Sequence, residues 1–238
     1  MILSLNTSTA QFSMALMEGD GDLVAEFFIS SKSRYFRPFM PVLHDLLTLS
    51  KVDIREIRAL AVASGPGSFT GLRVGLSAAK GICQGLSIPI IAVSSLEAMA
   101  NQLPFAPHPV CAILDSRKGE VFAALFRWSN ESGMVRLTDD LCLRVVDLAS
   151  VTDERAIYLG NNRAVQGAVI SKFLGDRALL APPSLWYLKA SAVGRLGLRQ
   201  AGERGFDNLE DLVPSYLRPP DIRPNPYQPP SEIKGQPR

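Results

Sequence analysis

Alternating apolar and polar positions open the chain and predict three strands. The strands are expected at Ile2–Asn6, Phe12–Met17 and Leu23–Ile29. Small polar residues separate the first two at 7–10, and a Glu-Gly-Asp-Gly turn at 18–21 precedes the third. Turns of this composition join neighbouring antiparallel strands, so the pattern predicts an antiparallel meander.

The spacing of apolar residues then changes from two to three or four, which predicts helices. One helix is expected over 38–50 and a longer one over 70–86, with short apolar strands at 58–63 and 88–93. The first helix is supported by the apolar positions Phe39, Val42, Leu43, Leu46, Leu47 and Leu49. Ser94 resembles an N-cap because a glutamate follows three residues later. Strands alternating with helices indicate an α/β protein.

A proline cluster divides the chain in two. Pro104, Pro107 and Pro109 interrupt regular structure, so we predict a first lobe at 1–104 and a second at 105–218. The second lobe is expected to hold strands at 110–114, 120–128 and 156–159, a helix ending near 173, and a last helix over 187–201 that can return to the first lobe. The proline-rich tail at 219–238 is expected to be extended or disordered.

The most distinctive string lies between a predicted strand and a predicted helix. It reads Ser-Gly-Pro-Gly-Ser-Phe-Thr-Gly-Leu-Arg-Val-Gly at 64–75. Glycines permit close backbone approach, and an exposed helix start can bind an anion. A phosphate site would use Gly65, Gly67, Ser68 and Thr70. The P-loop lysine and the dinucleotide glycine spacing are both missing, so a structural turn is favoured over phosphate binding.

The helix after this turn has a stripe of mostly small residues. They are spaced by three or four positions and comprise Gly71, Gly75, Ala78, Ile82 and Gly85. Glycine within a helix costs about 1 kcal/mol relative to alanine, which indicates close packing at the stripe. Two interpretations stay open: the helix lies on its own sheet, or a helix of another chain packs against it.

Composition excludes few classes of protein, but the net charge and the cysteines bear on the ligands and the cellular compartment. Hydrophobic residues make up 47% and charged residues 20% of the 238 residues, and the net charge of +2 is too small to argue for nucleic-acid binding by itself. We expect no signal peptide and no membrane span. The three widely separated cysteines, Cys83, Cys111 and Cys142, do not suggest disulfides and fit a cytoplasmic protein.

Few residues suggest chemistry. His44 and His108 are too far apart for a helical metal pair, and no Ser-His-Asp arrangement supports peptidase activity. Asp115, Arg117 and Glu120 cluster in a turn, where a solvated hairpin end is favoured over a site in a cleft between lobes. We therefore expect no catalytic residue, no metal site and no cofactor.

Several strings together resemble the TsaB family, over residues 1 to about 218. They are Ile-Leu-Ser-Leu-Asn-Thr-Ser-Thr at 2–9, the glycine-rich string, Gly81, Pro89, Ser-Ser-Leu-Glu at 94–97, Asp-Ser-Arg at 115–117, Gly-Glu-Val-Phe at 119–122 and Pro-Ser-Tyr-Leu-Arg at 214–218. The resemblance implies a two-lobed α/β actin/Hsp70-like ATPase (ASKHA) fold, with an RNase H-like mixed sheet in each lobe.

The same resemblance implies a function. TsaB proteins are non-catalytic subunits in the synthesis of N6-threonylcarbamoyladenosine at position 37 of tRNAs that read ANN codons. They pair with the catalytic subunit TsaD, and the ATPase TsaE joins them; direct tRNA contact is left open. The alternative is an autonomous nucleotide-dependent kinase or ATPase of the actin-like group. The chain has Asn6 where the family usually has aspartate, which argues against a nucleotide or metal role of the first turn. It has Tyr-Phe-Arg at 35–37 where the family usually has His-Ser-Glu, which is expected to alter the partner interface.

The resemblance also implies a partner interface made by the helices at 38–50 and 70–86. TsaD would offer an equivalent helix pair, and a homodimer could use the same face. The expected interface residues are Phe39, Leu43, Leu47, Phe69, Gly71, Leu72, Val74, Gly75, Ala78 and Ile82. On this interpretation Gly75→Leu leaves the chain folded but weakens binding to TsaD.

Overall fold

Two mixed β-sheets form the centre of the molecule, and the computed structural model describes residues 1–29, 39–117 and 119–218. The first sheet has the order β3-β2-β1-β4-β5. Its strands are β1 (Ile2–Asn6), β2 (Phe12–Met17), β3 (Leu23–Ile29), β4 (Ala59–Gly65) and β5 (Ile90–Ser94). The first three strands form the expected antiparallel meander, and β1, β4 and β5 run parallel.

Helices cover both faces of the first sheet. The α-helices of the described residues are α1 (Phe39–Ser50), α2 (Phe69–Leu86), α3 (Ser95–Ala100), α4 (Ala168–Leu174) and α5 (Ala190–Arg204), of which α4 packs against the second sheet. On the outer face, α1 and α2 bury their apolar sides against Leu3, Leu5 and Leu60. On the inner face, α5 packs on β1, β2, β4 and β5, so the last helix returns to the first sheet.

The second sheet has the order β11-β10-β6-β7-β8, and β9 pairs with β7. Its strands are β6 (Val110–Asp115), β7 (Glu120–Ser129), β8 (Gly133–Arg136), β9 (Leu141–Arg144), β10 (Ala156–Leu159) and β11 (Ala178–Leu180). β6 runs parallel to β10 and antiparallel to β7. Because α3 contacts strands of both sheets, it joins the two halves of the core.

The proline cluster lies between α3 and β6, where the chain passes from one sheet to the other. The lobe boundary at residue 104 stays a prediction. Four short 3-10 helices lie at Ile54–Glu56, Val145–Ser150, Gly175–Arg177 and Pro183–Leu185 in the described residues.

The largest departures from the sequence pattern fall in the second half. The helix expected to end near 173 begins as a π-helical turn at Arg163–Gly167 and continues as α4. The last helix starts at Ala190 rather than 187, because Lys189 has extended backbone angles. The predictions for Pro38, for residues 35–37 and for the tail at 219–238 lie outside the described residues. Across the described part of the chain, no helix is both long and apolar enough to cross a bilayer.

Candidate functional site

A cleft of about 410 Å³ opens between the two sheets. The parallel strands β1 and β4 end at the same edge of the first sheet, so the turns that follow them meet at the cleft. The turn after β6 lines the cleft from the second sheet. Most of the lining comes from four segments, at 8–10, 67–70, 115–117 and 215–218. Phe122 and Asn161 complete the wall.

Asn6, at the end of β1, is buried, and its side-chain amide both donates and accepts hydrogen bonds. Its Nδ2 donates to the Leu188 carbonyl at 2.9 Å. Its Oδ1 accepts from the Ser8 backbone N–H at 3.0 Å and from the Ser8 hydroxyl at 2.7 Å. The first turn is therefore neutral and is held by bonds within the chain.

The glycine-rich turn packs directly against the first turn. The Ser68 backbone N–H donates to the Ser8 carbonyl at 2.7 Å, and a methyl group at Gly67 would collide with the same carbonyl. Gly65 has a φ of +129°, which favours glycine. Ser68 caps α2 by accepting from the Gly71 N–H at 3.3 Å. Close approach within the chain explains these glycines, and phosphate binding by residues 65–70 stays a prediction.

A polar network joins the two sheets beside the cleft, and we call it the floor because Asp115 and Asn161 also line the cleft. Gln11 Nε2 donates to the Asn161 carbonyl at 3.0 Å, which joins the first turn to the second sheet. Asn161 Oδ1 accepts from the Asp115 N–H at 2.9 Å and from Gln166 Nε2 at 3.1 Å. Gln166 Nε2 also donates to Asp115 Oδ1 at 2.7 Å. Because Gln11, Asn161 and Gln166 are buried, this network is a protected connection between the sheets.

The turn that holds Asp115, Arg117 and Glu120 is both a hairpin end and a wall of the cleft. Asp115 and Arg117 are exposed and face the cleft, whereas Glu120 pairs with Arg218 from the end of the described chain. The solvated hairpin favoured from the sequence therefore describes only part of the arrangement.

The segment 215–218 lies across the mouth of the cleft. The Ser215 N–H donates to the Ser64 carbonyl at 2.8 Å, and the Tyr216 ring packs on Phe69 with centroids 4.8 Å apart. Arg73 Nε donates to Tyr216 Oη at 2.9 Å. The string at 214–218 contributed to the family resemblance, but its placement could not be predicted because the segment has no regular structure and its partners are distant along the chain.

The expected interface residues divide by orientation. Four of them are buried in the protein's own core: Phe39, Leu43, Leu72 and Gly75. Leu47, Phe69, Gly71, Ala78 and Ile82 are half-buried, and Val74 is 36% exposed. The small stripe turns partly inward, because Gly71 and Gly75 pack against Thr7 of the same chain. The buried members cannot reach a partner in this conformation, and the interface as a whole stays a prediction.

The outer surface of α1 and α2 offers other positions. Met40 and Leu49 of α1 are 61% and 77% exposed. Along α2, Ser77, Gly81 and Gly85 are exposed, and a methyl group added at either glycine would meet no atom within 4 Å. We call the surface formed by Val74, Ser77, Gly81 and Gly85 of α2 the outer helix face, because a spacing of three or four residues places them on one side of the helix. Met40 and Leu49 are nine residues apart and lie on opposite sides of α1. Periodicity alone could not identify the outer helix face, since it does not say which side of a helix faces inward.

Histidines and cysteines lie apart from the cleft lining. His44 is exposed on α1, and His108 is half-buried in the connection between the sheets. Burial raises the pKa of the Cys83 thiol to about 11 and that of Cys111 to about 12. Within the described residues, no three His, Cys, Asp or Glu side chains are grouped to hold a metal ion.

Solved structures are similar to this chain over most of its length. A crystal structure from Pseudomonas aeruginosa, of an uncharacterized protein with similarity to peptidase YEAZ, covers 91% of this chain and 99% of its own, with a TM-score of 0.76 and 23% identity. A second similar structure is the activator of the 2-hydroxyisocaproyl-CoA dehydratase from Clostridium difficile, solved with bound ADPNP. Its TM-score is 0.50 at 12% sequence identity, and the match covers 85% of this chain and 96% of the activator. These likenesses confirm the two-lobed actin/Hsp70-like fold.

Sequence comparisons identify the family. A family model described as "TsaD: tRNA N6-adenosine threonylcarbamoyltransferase" matches residues 24–160. The Bacillus subtilis protein named "tRNA threonylcarbamoyladenosine biosynthesis protein TsaB" is 29% identical over 221 residues, which cover 91% of this chain and 93% of the relative. Relatives from Escherichia coli and Haemophilus influenzae have the same name. Together with the motifs at both ends of the chain, these matches show that it belongs to the TsaB family.

Proposed function

We propose that this chain is a non-catalytic subunit of the machinery that forms N6-threonylcarbamoyladenosine in tRNA. It would bind and support TsaD through the outer helix face, and TsaE would join the pair in a ternary complex. A homodimer through the same face would compete with the heterodimer. The names of its relatives support the pathway, and the TsaD family model supports kinship with the catalytic subunit.

The state of the first turn supports a non-catalytic role. A nucleotide-dependent enzyme needs groups that are free to bind phosphate or a metal ion. Asn6 is neutral, and both functions of its amide are used by Leu188 and Ser8. The Ser8 carbonyl is already an acceptor for the Ser68 N–H. The turn therefore maintains the structure of the cleft.

The observation on which the proposal chiefly rests is the outer helix face. Val74 is an apolar side chain that is exposed on this face of α2. Gly81 and Gly85 follow on the same side of α2 and leave its backbone open to close approach. Exposed apolar side chains beside small residues are suited to helix packing, in which side chains of one helix fill the grooves of another.

The test is a titration of the protein with TsaD. Gly81→Leu adds bulk to the outer helix face and should weaken TsaD binding about 5- to 150-fold, the effect of about 1–3 kcal/mol of overpacking. Gly202→Leu is a matched control, because Gly202 is also an exposed helical glycine with open space around it but lies on α5. Circular dichroism should show both variants folded. Equal affinities for TsaD would exclude α2 from the interface.

The cleft itself supports a second candidate, an autonomous kinase or ATPase. Its volume of about 410 Å³ is sufficient for a small ligand, and Ser68, Thr70 and Arg117 line it. Calorimetry with ATP and magnesium separates the candidates. The non-catalytic proposal expects no hydrolysis by the isolated protein; turnover that is lost in Asp115→Ala would favour the second candidate.

A further inference from the structure

The chain that leaves α5 is first fixed to the first sheet. The Asp207 N–H donates to the Ile90 carbonyl at 2.9 Å, and the Asp207 carboxylate accepts from the Ala92 N–H at 2.7 Å. Arg204 pairs with the same carboxylate at 2.7 Å. Farther on, Leu209 and Leu212 pack against the outer core of the first sheet. The approach to residue 215 is therefore held at several points on one side of the cleft.

Residues 215 and 216 continue this attachment to the first sheet. Besides the bond between Ser215 and Ser64, the Arg73 guanidinium lies 3.9 Å from the centre of the Phe69 ring. The same guanidinium donates to the Tyr216 hydroxyl. Tyr216, Phe69 and Arg73 thus form one stacked cluster on the first turn of α2, where aromatic and cation–π contacts reinforce each other.

Residues 217 and 218 cross to the other side. Leu217 packs against the core between the sheets, and Arg218 forms an ion pair with Glu120, the first residue of β7. The Arg218 and Glu120 side chains are 37% and 32% exposed. Ion pairs with this access to water are weak and are screened by salt. The attachment to the second sheet is therefore the easier one to break.

The floor of the cleft differs from its mouth. There, buried Gln11 and Asn161 connect the two sheets, and Asn6 and Ser13 both donate to the Leu188 carbonyl. Buried hydrogen bonds are costly to break without replacement, so relative movement of the sheets should pivot at the floor. At the mouth, the contacts of Leu217 and Arg218 oppose separation of the sheets.

We propose that residues 215–218 form a latch that stays attached to α2 and releases from β7 when the Arg218–Glu120 pair breaks, which opens the mouth of the cleft. Release requires only that a part-exposed ion pair and the Leu217 contact are lost, while the stacked cluster on α2 remains. The latch controls access to the cleft and does not depend on the binding of TsaD.

The test measures the width of the mouth in the full chain. Nitroxide labels are placed at Thr70→Cys on α2 and at Arg117→Cys in the turn after β6, both in the lining of the cleft. A Cys142→Ala background removes the exposed native cysteine, and alanine is used because Cys142 Sγ lies 4.0 Å from Glu120 Oε2 and a serine hydroxyl could bind that carboxylate. Electron–electron double resonance then gives the distance distribution. Glu120→Gln and Arg218→Gln should each raise the fraction at longer distance about two- to fivefold, as expected for loss of one part-exposed ion pair. High salt should do the same in the parent.

Two further variants make the result specific. The charge exchange Glu120→Arg with Arg218→Glu should restore the short distance. Arg127→Gln breaks the Arg127–Glu154 pair, which lies on the same strand β7 away from the latch, and should leave the distribution unchanged. Unchanged distances in both single variants, or no restoration by the exchange, would overturn the latch.

Discussion

Thr7 occupies the space beside Gly75, and this contact determines what a substitution there does. A methyl group at Gly75 would collide with Thr7 Oγ1, which donates to the Gly71 carbonyl at 2.8 Å. Gly81, two turns along the same helix, has open space instead. Gly75 and Gly81 therefore have different roles, although both lie on α2.

We expect Gly75→Ala to lower the free energy of unfolding by about 1–3 kcal/mol through overpacking. Gly81→Ala should raise it by up to about 1 kcal/mol, because alanine is the better helix former. Urea unfolding followed by circular dichroism measures both. Equal effects at the two positions would contradict the packing of α2 on Thr7. Gly75→Leu, the substitution suggested by the helical pattern, is expected to affect folding and so does not isolate partner binding.

The three cysteines should react at different rates. Cys142 is exposed, whereas Cys83 and Cys111 are buried and their raised pKa values leave little thiolate at pH 8. We expect a thiol reagent to modify Cys142 alone in the native protein and all three cysteines in urea, with mass spectrometry as the readout. Cys142→Ser is the control and should remove native-state labelling. Rapid labelling of that variant would show that the cores open.

At the scale of single elements, α3 depends on its N-cap because it is short and joins both sheets. Ser94 Oγ accepts from the Glu97 N–H at 3.3 Å and from Arg136 Nη2 at 3.1 Å. Ser94→Ala should cost about 0.5–2 kcal/mol of unfolding free energy, and Ser94→Asp should retain most of the stability because aspartate also caps helices. Thermal unfolding compares the two. An alanine variant as stable as the parent would mean that packing alone maintains α3.

Elements with strong local patterns could be predicted from the sequence. The three strands of the meander were found with the correct bounds, and α2 was found to within a residue, because alternation and helical spacing are local properties. Strands β8, β9 and β11 were missed. They have only three or four residues, and their pairing with β7 or β10 supplies the order that their own sequences lack.

The candidate site was harder to predict, because its parts are distant along the chain. Arg73 and Tyr216 are 143 residues apart, and Glu120 and Arg218 are 98 apart. Spacing along one helix also did not distinguish Leu72, which faces the core, from Val74, which faces water. Contact across the cleft and the inward side of a helix are set by tertiary packing, which periodicity does not describe.

At the scale of the whole molecule, the first sheet is incomplete without the last helix. Gly197 of α5 lies so close that an added methyl group would be 2.7 Å from Ala61 Cβ and 3.0 Å from Ile91 Cγ2. We expect a fragment of residues 1–104 to unfold without cooperativity, because its inner face is uncovered. The same fragment joined to residues 186–206 by a flexible linker should unfold cooperatively. Cooperative melting of the shorter fragment would show that the sheet is stable by itself.

The return of α5 has a consequence for synthesis on the ribosome. All five strands of the first sheet have been made by residue 94, but the helix that covers the inner face begins at Ala190. At about 5–20 residues per second, the intervening segment 95–189 takes roughly 5–20 s to translate. During that time Ile2, Met17 and Ile91 lack their native cover from α5. Slower translation within 95–189 should therefore increase aggregation of the nascent protein, whereas slower translation after Arg204 should not.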